Sequence, residues 1–247
     1  MIEHLNKNLL NKNIVEQFRY LSETFEDRIA FSTSFGQEDQ VITDIIFKND
    51  IPVEVFTLDT GRMFEETYKV WNLTEKKYQK KIKVYFPEKI DIEEMVNQKG
   101  IYSFYESLEN RQECCNIRKV KPLKRALENK DIWITGLRAQ QSVTRTDLNL
   151  FEENTAYDVI KFNPLTSWTL DDVLRYINTN NVPYNELHDK GFISIGCSPC
   201  TRAIKPGEDI RAGRWWWESK DKKECGLHVE QKNENQNLNI SYKKLDS

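Results

Sequence analysis

Arg28-Ile-Ala-Phe-Ser-Thr33, then Ser34-Phe-Gly-Gln-Glu-Asp39, then a run to Lys48 carrying Val41, Ile42, Ile45 and Ile46, is the stretch that decides the fold. The first piece is short and mostly apolar and predicts a strand. Residues 38–48 place their apolar side chains on one face of a helix. A Gly-bearing turn that feeds a helix offers backbone N–H groups and a positive dipole end to a phosphate. No Gly-Lys-Ser/Thr follows, so this is not a Walker A loop. Taken alone, the turn reads equally well as an ordinary strand-to-helix connection capped by Ser and Asp.

The same rhythm extends in both directions. Ile14, Phe18, Leu21 and Phe25 recur at helical spacing. Downstream, 53–58 reads as a strand, 64–78 as a helix, 82–86 as a strand, and 119–127 as a helix with Pro122 near its start. Residues 131–135 and 159–162 read as strands, and 169–178 as a helix opened by the capping box Thr169-Leu-Asp-Asp172. This alternation predicts an α/β fold, a mostly parallel twisted sheet covered by helices. Ligands of such sheets bind outside the carboxyl ends of the strands. Pro206, Gly207 and Gly213 break the pattern, and from Val229 onward the chain is polar and Asn-rich. The expected organisation is a main domain over 1–205 and a C-terminal segment over 206–247 that ends in a mobile tail.

Composition narrows the function. The chain has 247 residues, 36 basic and 39 acidic, for a net charge of −3, which argues against a general nucleic-acid or membrane-surface binder. No apolar run approaches the ~18 residues of a membrane span. Met1-Ile-Glu-His-Leu-Asn-Lys-Asn-Leu-Leu10 lacks the pattern of a secretory signal. The five cysteines, Cys114, Cys115, Cys197, Cys200 and Cys225, are an odd number. With no signal peptide, that points to a reducing cytoplasm and to thiols that bind metal or do chemistry.

Four further segments carry candidate chemistry. Leu58-Asp-Thr-Gly-Arg62 ends a strand; Asp59 and Thr60 suit a nucleoside and Arg62 a phosphate, or the segment is an Asx-type turn with Gly61 at positive φ. Arg111-Gln-Glu-Cys114-Cys115-Asn-Ile-Arg118-Lys119 supplies one pair of thiols and Gly196-Cys197-Ser-Pro-Cys200 a second. Adjacent cysteines rarely bond to each other. Four thiolates suit either zinc or an iron–sulfur cluster. Arg211-Ala-Gly-Arg214-Trp-Trp-Trp217-Glu218 combines basic and aromatic residues that bind nucleotides or pack a tail onto the domain. If helical, it would put Arg211 and Arg214 on one face. Glu224-Cys225-Gly-Leu-His228 holds a cysteine in a polar setting and reads equally well as a reactive thiol whose pKa the histidine can lower or as an incidental cysteine beside a solvated histidine.

Together these pieces resemble the sulfonucleotide reductases, and within them the iron–sulfur branch, the assimilatory adenylyl-sulfate (APS) reductases. The resemblance runs from Ser34-Phe-Gly-Gln-Glu-Asp39 through Leu58–Arg62, Cys114-Cys115 with Arg118-Lys119, and Trp133-Ile-Thr-Gly-Leu-Arg138 with Gln141, Ser142 and Arg145. Pro183-Tyr-Asn-Glu-Leu-His188, Gly196–Cys200, Arg211–Trp217 and Glu224–His228 complete it. It implies a PP-loop-type fold of the adenine nucleotide alpha hydrolase kind. It implies a [4Fe-4S] cluster on Cys114, Cys115, Cys197 and Cys200, and Cys225 as the catalytic nucleophile. The substrate-binding residues it implies are Ser34, Phe35, Gly36, Leu58, Asp59, Arg62, Lys119, Arg138, Arg145, Arg211, Arg214 and His228. Lys119 would sit between cluster and substrate, and Arg211 and Arg214 would grip the phosphosulfate. The substrate would be adenosine 5′-phosphosulfate, the reductant thioredoxin or glutaredoxin; a homo-oligomer is compatible. Many relatives carry two adjacent arginines after the Trp133 strand, whereas here Arg138 is followed by Ala139.

The chemistry makes its own demand. A thiolate nearing a phosphosulfate meets two negative charges, each costing about 4 kcal/mol at ~4 Å and an effective dielectric of ~20. Each unopposed charge would remove roughly three decades of rate. The site therefore needs cations, and Lys119, Arg138, Arg145, Arg211 and Arg214 are the candidates. Two other readings stand beside this one: a reductase of the 3′-phosphorylated substrate (PAPS), and a nucleotide-binding protein with a structural zinc site made of four cysteines. An ATP-adenylating PP-loop enzyme fits less well, because Ser34-Phe-Gly36 lacks the Ser-Gly-Gly-x-Asp-Ser shape.

Overall fold

The computed structural model describes residues 1–141 and 148–219. Its sheet is built from Ile29–Ser32 (β1), Glu54–Leu58 (β2), Lys83–Tyr85 (β3), Ile132–Ile134 (β4), Phe151–Asn154 (β5) and Val159–Phe162 (β6), in the order β3-β2-β1-β4-β6-β5. Every pairing is parallel except that of β5 with β6. The strands are short because the apolar runs are short, and each expected strand lies within a residue or two of its place. Alternation decides what they bury: Ile29 and Phe31 enter one core with Val41, Ile42, Ile45 and Ile46, while Ala30 faces a second with Phe56, Leu123 and Trp133. Fully burying a side chain such as Phe31 stabilises the fold by roughly 1.5–3 kcal/mol.

The helices are Ile2–Leu9 (α1), Ile14–Phe25 (α2), Gln37–Lys48 (α3), Glu65–Tyr78 (α4), Lys89–Lys99 (α5), Leu108–Cys115 (α6), Lys121–Leu127 (α7) and Leu170–Asn180 (α8). The capping box of α8 is present, with Thr169 Oγ1 accepting from the Asp172 N–H and Asp172 accepting from the Thr169 N–H. The expected helix over 119–127 begins earlier than its spacing suggests. α6 passes through a π-helical turn, Asn116–Val120, directly into α7. Such turns are rare and recur at functional sites; this one follows the paired cysteines.

Topology then locates the site. From β1 the chain moves outward to β2 and β3, then returns to place β4 on the other side of β1. The connections after β1 and β4 thus diverge at a switch point, where ligands of open α/β sheets bind. A third apolar cluster contains Met95, Phe104, Cys114, Ile117, Cys197, Cys200 and Trp215. Hydrogen bonds to Thr60 and Arg62, from Arg118, Cys197 and Ser198, tie it to the turn after β2. Among the described residues no helix is long and apolar enough to cross a membrane.

Candidate active site

The loop after β1 is set by its own side chains. The Ser34 N–H and hydroxyl both donate to Asp39 Oδ2 at 2.6 Å. The Phe35 N–H donates to Thr33 Oγ1 at 3.1 Å. Phe35, not Gly36, takes the left-handed conformation, with φ of 60°. Gly36 is the N-cap of α3 at φ −69°. A buried non-glycine residue held in that region costs about 1–2 kcal/mol, and such strain gathers at binding loops. The Phe35 ring is fully buried and stacks on Trp71 at 5.6 Å, so only its backbone is available to a ligand. Burial pushes the Asp39 carboxyl up to about 6 despite the Ser34 hydrogen bonds, with Glu38 adding to the rise.

The loop after β4 closes against this one. A Cβ on Gly136 would stand 2.1 Å from Asp39 Oδ1, so any larger residue would displace that carboxylate. Arg138, expected to face the substrate anion, is buried and donates through Nε to Glu38 Oε1 at 2.8 Å. That pairing neutralises much of its charge, so it holds the two loops together. His188 Nε2 is buried without a hydrogen-bond partner, and burial lowers the ring's pKa.

The turn after β2 is the Asx-type turn. The Gly61 N–H donates to Asp59 Oδ1 at 2.8 Å, the Arg62 N–H to Thr60 Oγ1 at 3.2 Å, and Gly61 has φ 68°. Asp59 also accepts from the Tyr68 hydroxyl. The expectation of a phosphate for Arg62 does not match its direction. Its guanidinium lies 4.7 Å over the Phe104 ring, donates through Nη2 to the Ile101 carbonyl at 2.6 Å, and lines a cavity formed by the cysteines.

That cavity brings together Cys114, Cys115, Cys197 and Cys200 with Arg62, Phe104, Arg111, Arg118 and Lys119. None of the four cysteines is in a disulfide. Helical spacing puts Arg111 and Arg118 three and four residues from Cys114, and Lys119 four from Cys115, on the cysteine side of their helices. Arg118 Nη1 donates to the Thr60 carbonyl at 2.6 Å, and Thr60 Oγ1 lies 3.3 Å from Cys197 Sγ. Burial drives the Cys200 thiol up to about 12, with Cys197 and Cys115 adding to the rise. Burial pushes Cys197 the same way, but Lys119, the Thr60 hydroxyl, Arg214 and Arg118 outweigh it and hold that thiol below its ordinary value. Among the described residues no three His, Cys, Asp or Glu side chains converge on one ion. The four cysteines line one cavity.

The basic, aromatic segment packs back over this chamber and is not helical. Trp215 is fully buried at φ 40°, and its backbone N–H donates to the Cys200 carbonyl at 3.1 Å. The guanidiniums of Arg111 and Arg214 lie 4.7 and 4.6 Å from the Trp215 ring. Arg111 and Glu218 form a buried, two-pronged ion pair with both contacts at 2.9 Å. Arg214 is buried beside Ser194 and Ile195, where a Cβ on Gly196 would stand 2.3 Å from its Nη2. Arg211 is half-buried in a turn, its N–H donating to Asp209 Oδ1. Arg145, Cys225 and His228 lie outside the described residues. Of the remaining expected residues, the fold gathers Arg62, Lys119 and Arg214 with the cysteines, and Ser34, Phe35, Gly36, Leu58, Asp59 and Arg138 at the strand ends. Arg111 and Glu218, joined across 107 residues, were not anticipated; the spacing of Arg111 from Cys114 was the available signal.

Residues 28–203 match the phosphoadenosine phosphosulfate reductase domain family. The chain belongs to that family of sulfonucleotide reductases. It is 52% identical over 204 residues to an adenosine 5′-phosphosulfate reductase of Sinorhizobium fredii, covering 83% of this chain and 81% of that one. It is 50% identical over 202 residues to the protein of the same name from Allochromatium vinosum, covering 82% and 79%. The crystal structure of phosphoadenylyl-sulfate (PAPS) reductase from Candida auris, a phosphate complex, superposes with a TM-score of 0.70 at 32% identity, covering 82% of this chain and 96% of that one.

Proposed function

We propose that the chain reduces adenosine 5′-phosphosulfate to sulfite and AMP in assimilatory sulfate reduction, in the cytoplasm, with thioredoxin or glutaredoxin as donor. The observation that carries this is the junction of a nucleotide-type strand edge with a cysteine chamber rimmed by Lys119, Arg118 and Arg214. The Cys225 thiolate attacks the sulfate sulfur. A sulfur–sulfur bond forms, the sulfur–oxygen bond to phosphate breaks, and AMP leaves with the electron pair. A thiolate of the donor then attacks Cys225 Sγ and expels sulfite, and the donor's second thiol frees Cys225 as a disulfide closes. The two electrons come from the donor dithiol.

The chain's residues divide the work. The N–H groups that open α3 and the basic residues at the chamber's edge offset the charge of the phosphosulfate. Lys119 and Arg214, both close enough to lower the Cys197 thiol, are the cations we assign to cysteines and ligand alike; Arg211, Arg145 and His228 would complete the substrate contacts. The donor set suits a [4Fe-4S] cluster on Cys114, Cys115, Cys197 and Cys200, in which each thiolate takes its own iron. A lone zinc ion would need all four sulfurs about 2.3 Å from one point. Buried donors among these residues, Arg118 Nε, Arg62 Nη1 and Trp215 Nε1, support a site built for anionic sulfur. When bound, the group supplies charge and order to the chamber.

Sulfite release from APS and from PAPS, each with thioredoxin, tests the reading. Faster turnover of APS is expected; a preference for PAPS, the substrate named for the Candida auris structure, would replace the substrate and keep the mechanism. Without reductant, one SO3 should accumulate on Cys225 and be discharged as sulfite when thioredoxin is added. An adduct on any other cysteine would overturn the mechanism.

A further inference from the structure

Arg62, like Thr60 before it in the turn after β2, reaches the cysteine chamber with both its backbone and its side chain. Its carbonyl accepts from the Ser198 N–H at 2.8 Å, which fixes the loop between Cys197 and Cys200. Its guanidinium is held edge-on by the Ile101 carbonyl and lies over the Phe104 ring. These two contacts leave Nη1 buried, without a partner, on the wall of the cavity that the four cysteines line. A second guanidinium, Arg118, shares that wall, and its Nε is also buried without a partner. Two buried like charges on one wall repel. Such a pair is stable only opposite anions. The acidic groups near the turn are engaged elsewhere: Asp59 accepts from Gly61 and Tyr68, and Glu218 holds Arg111. The anions within reach are the sulfurs.

We propose that Arg62 is a positioning residue of the cysteine chamber: Nη1 donates to the anionic sulfur held there, and the carbonyl pins the Cys197–Cys200 loop. This rests on the four-cysteine cluster put forward above, and it takes Arg62 out of the substrate-binding set. Partners of this kind orient ligands and tune the group they hold. Arg62 keeps the chamber's net charge low enough for four thiolates to share it, and it ties the chamber to the turn that carries Asp59.

The test uses the full chain, purified anaerobically, with Arg62→Met, which keeps the stem over Phe104, and Arg62→Lys, which keeps the charge. Three quantities are read: the rate at which a chelator strips iron, the Fe–S stretching frequencies in resonance Raman spectra, and the Kd for APS. Arg62→Met should lose iron about 10–100-fold faster and shift the Fe–S stretches. Its Kd should stay within about twofold of wild type, and Arg62→Lys should recover part of the iron retention. Weaker APS binding with wild-type iron loss and spectra would return Arg62 to the substrate and overturn the proposal. Equal iron loss from the Lys and Met variants would overturn the charge role. If wild-type protein carried zinc in place of iron, the cluster reading would fall, and zinc release to the same chelator would still test Arg62.

Discussion

The loop that follows β1 and the chamber that holds the cysteines belong to one sheet edge, yet they are built in opposite ways. In the loop, both Ser34 donors and the Phe35 N–H find acceptors within five residues, on Asp39 and Thr33. In the chamber, the elements come from distant parts of the chain, and Arg62 Nη1, Arg118 Nε, Arg214 Nε and Trp215 Nε1 are buried without partners. A buried donor left unsatisfied costs about 1–3 kcal/mol. Four such groups are a large share of a typical domain stability of about 5–15 kcal/mol. The loop is complete as protein; the chamber's buried donors lack the acceptors that the proposed cluster and its thiolates would supply.

The largest effect should therefore come from the chamber's ligands. Cys197→Ser should abolish iron binding, measured as iron per chain, and bring sulfite production to background. Retention of iron and activity would remove Cys197 from the ligand set. Next is the ion pair that holds the C-terminal segment over the chamber. Glu218→Ala leaves the Arg111 guanidinium, 2% exposed, without its carboxylate. Removing one partner of a buried pair costs about 3–5 kcal/mol, read as a fall in unfolding free energy. A change below about 0.5 kcal/mol, the scale of an ordinary surface substitution, would mean that the chamber's sulfurs balance Arg111 by themselves.

The loop should respond to pH instead of to metal. Asp39 has its pKa raised to about 6 from 3.8. A carboxyl raised on folding binds its proton more tightly in the folded state. Its contribution is fully present below pH ~4 and is lost as pH rises through ~6, on the order of 3 kcal/mol in all. Unfolding free energies measured between pH 4.5 and 7 should show this fall in the wild type, and Asp39→Asn should remove it from the difference between the two proteins. Parallel curves would place the Asp39 proton elsewhere.

The same contrast explains what could be read in advance. The loop and its helix were legible because the signals are local: an apolar run, a turn, then helical spacing. So was α8, whose Thr169 and Asp172 cap each other as expected. β5 was not, because Glu152 and Glu153 stand at its centre and its four residues show no apolar alternation. α5 was missed because it buries only Met95. In the chamber, the grouping of the cysteines was legible from their pairing in sequence, but the direction of Arg62 was not. Its fate depends on Phe104 and on the Ile101 carbonyl, roughly forty residues away. Nor does any local rule place a tryptophan at φ 40°; Trp215 is held there by Cys200, Arg111 and Arg214.

Two glycines give the finest test, because each makes room for a charged side chain, one in each region. At Gly136 the neighbour is Asp39, whose Oδ1 would lie 2.1 Å from an added Cβ. At Gly196 it is Arg214, whose Nη2 and Cζ would lie 2.3 and 2.5 Å away. In both cases the side chain must move, and what it leaves differs. Gly136→Ala drives Asp39 off the two Ser34 donors and should be felt mainly as lost stability and a changed pH dependence. Gly196→Ala drives Arg214 from Ser194 and Ile195, where its contacts are long, 3.5 Å, so the fold should lose little. If Arg214 meets the phosphosulfate, its displacement removes a charged hydrogen bond of about 1.5–3 kcal/mol. kcat/KM for APS should then fall roughly tenfold to a hundredfold. A Gly196→Ala protein with wild-type kinetics would show that Arg214 serves the Trp215 stack and Cys197 alone, and that the substrate's charge is met by other cations.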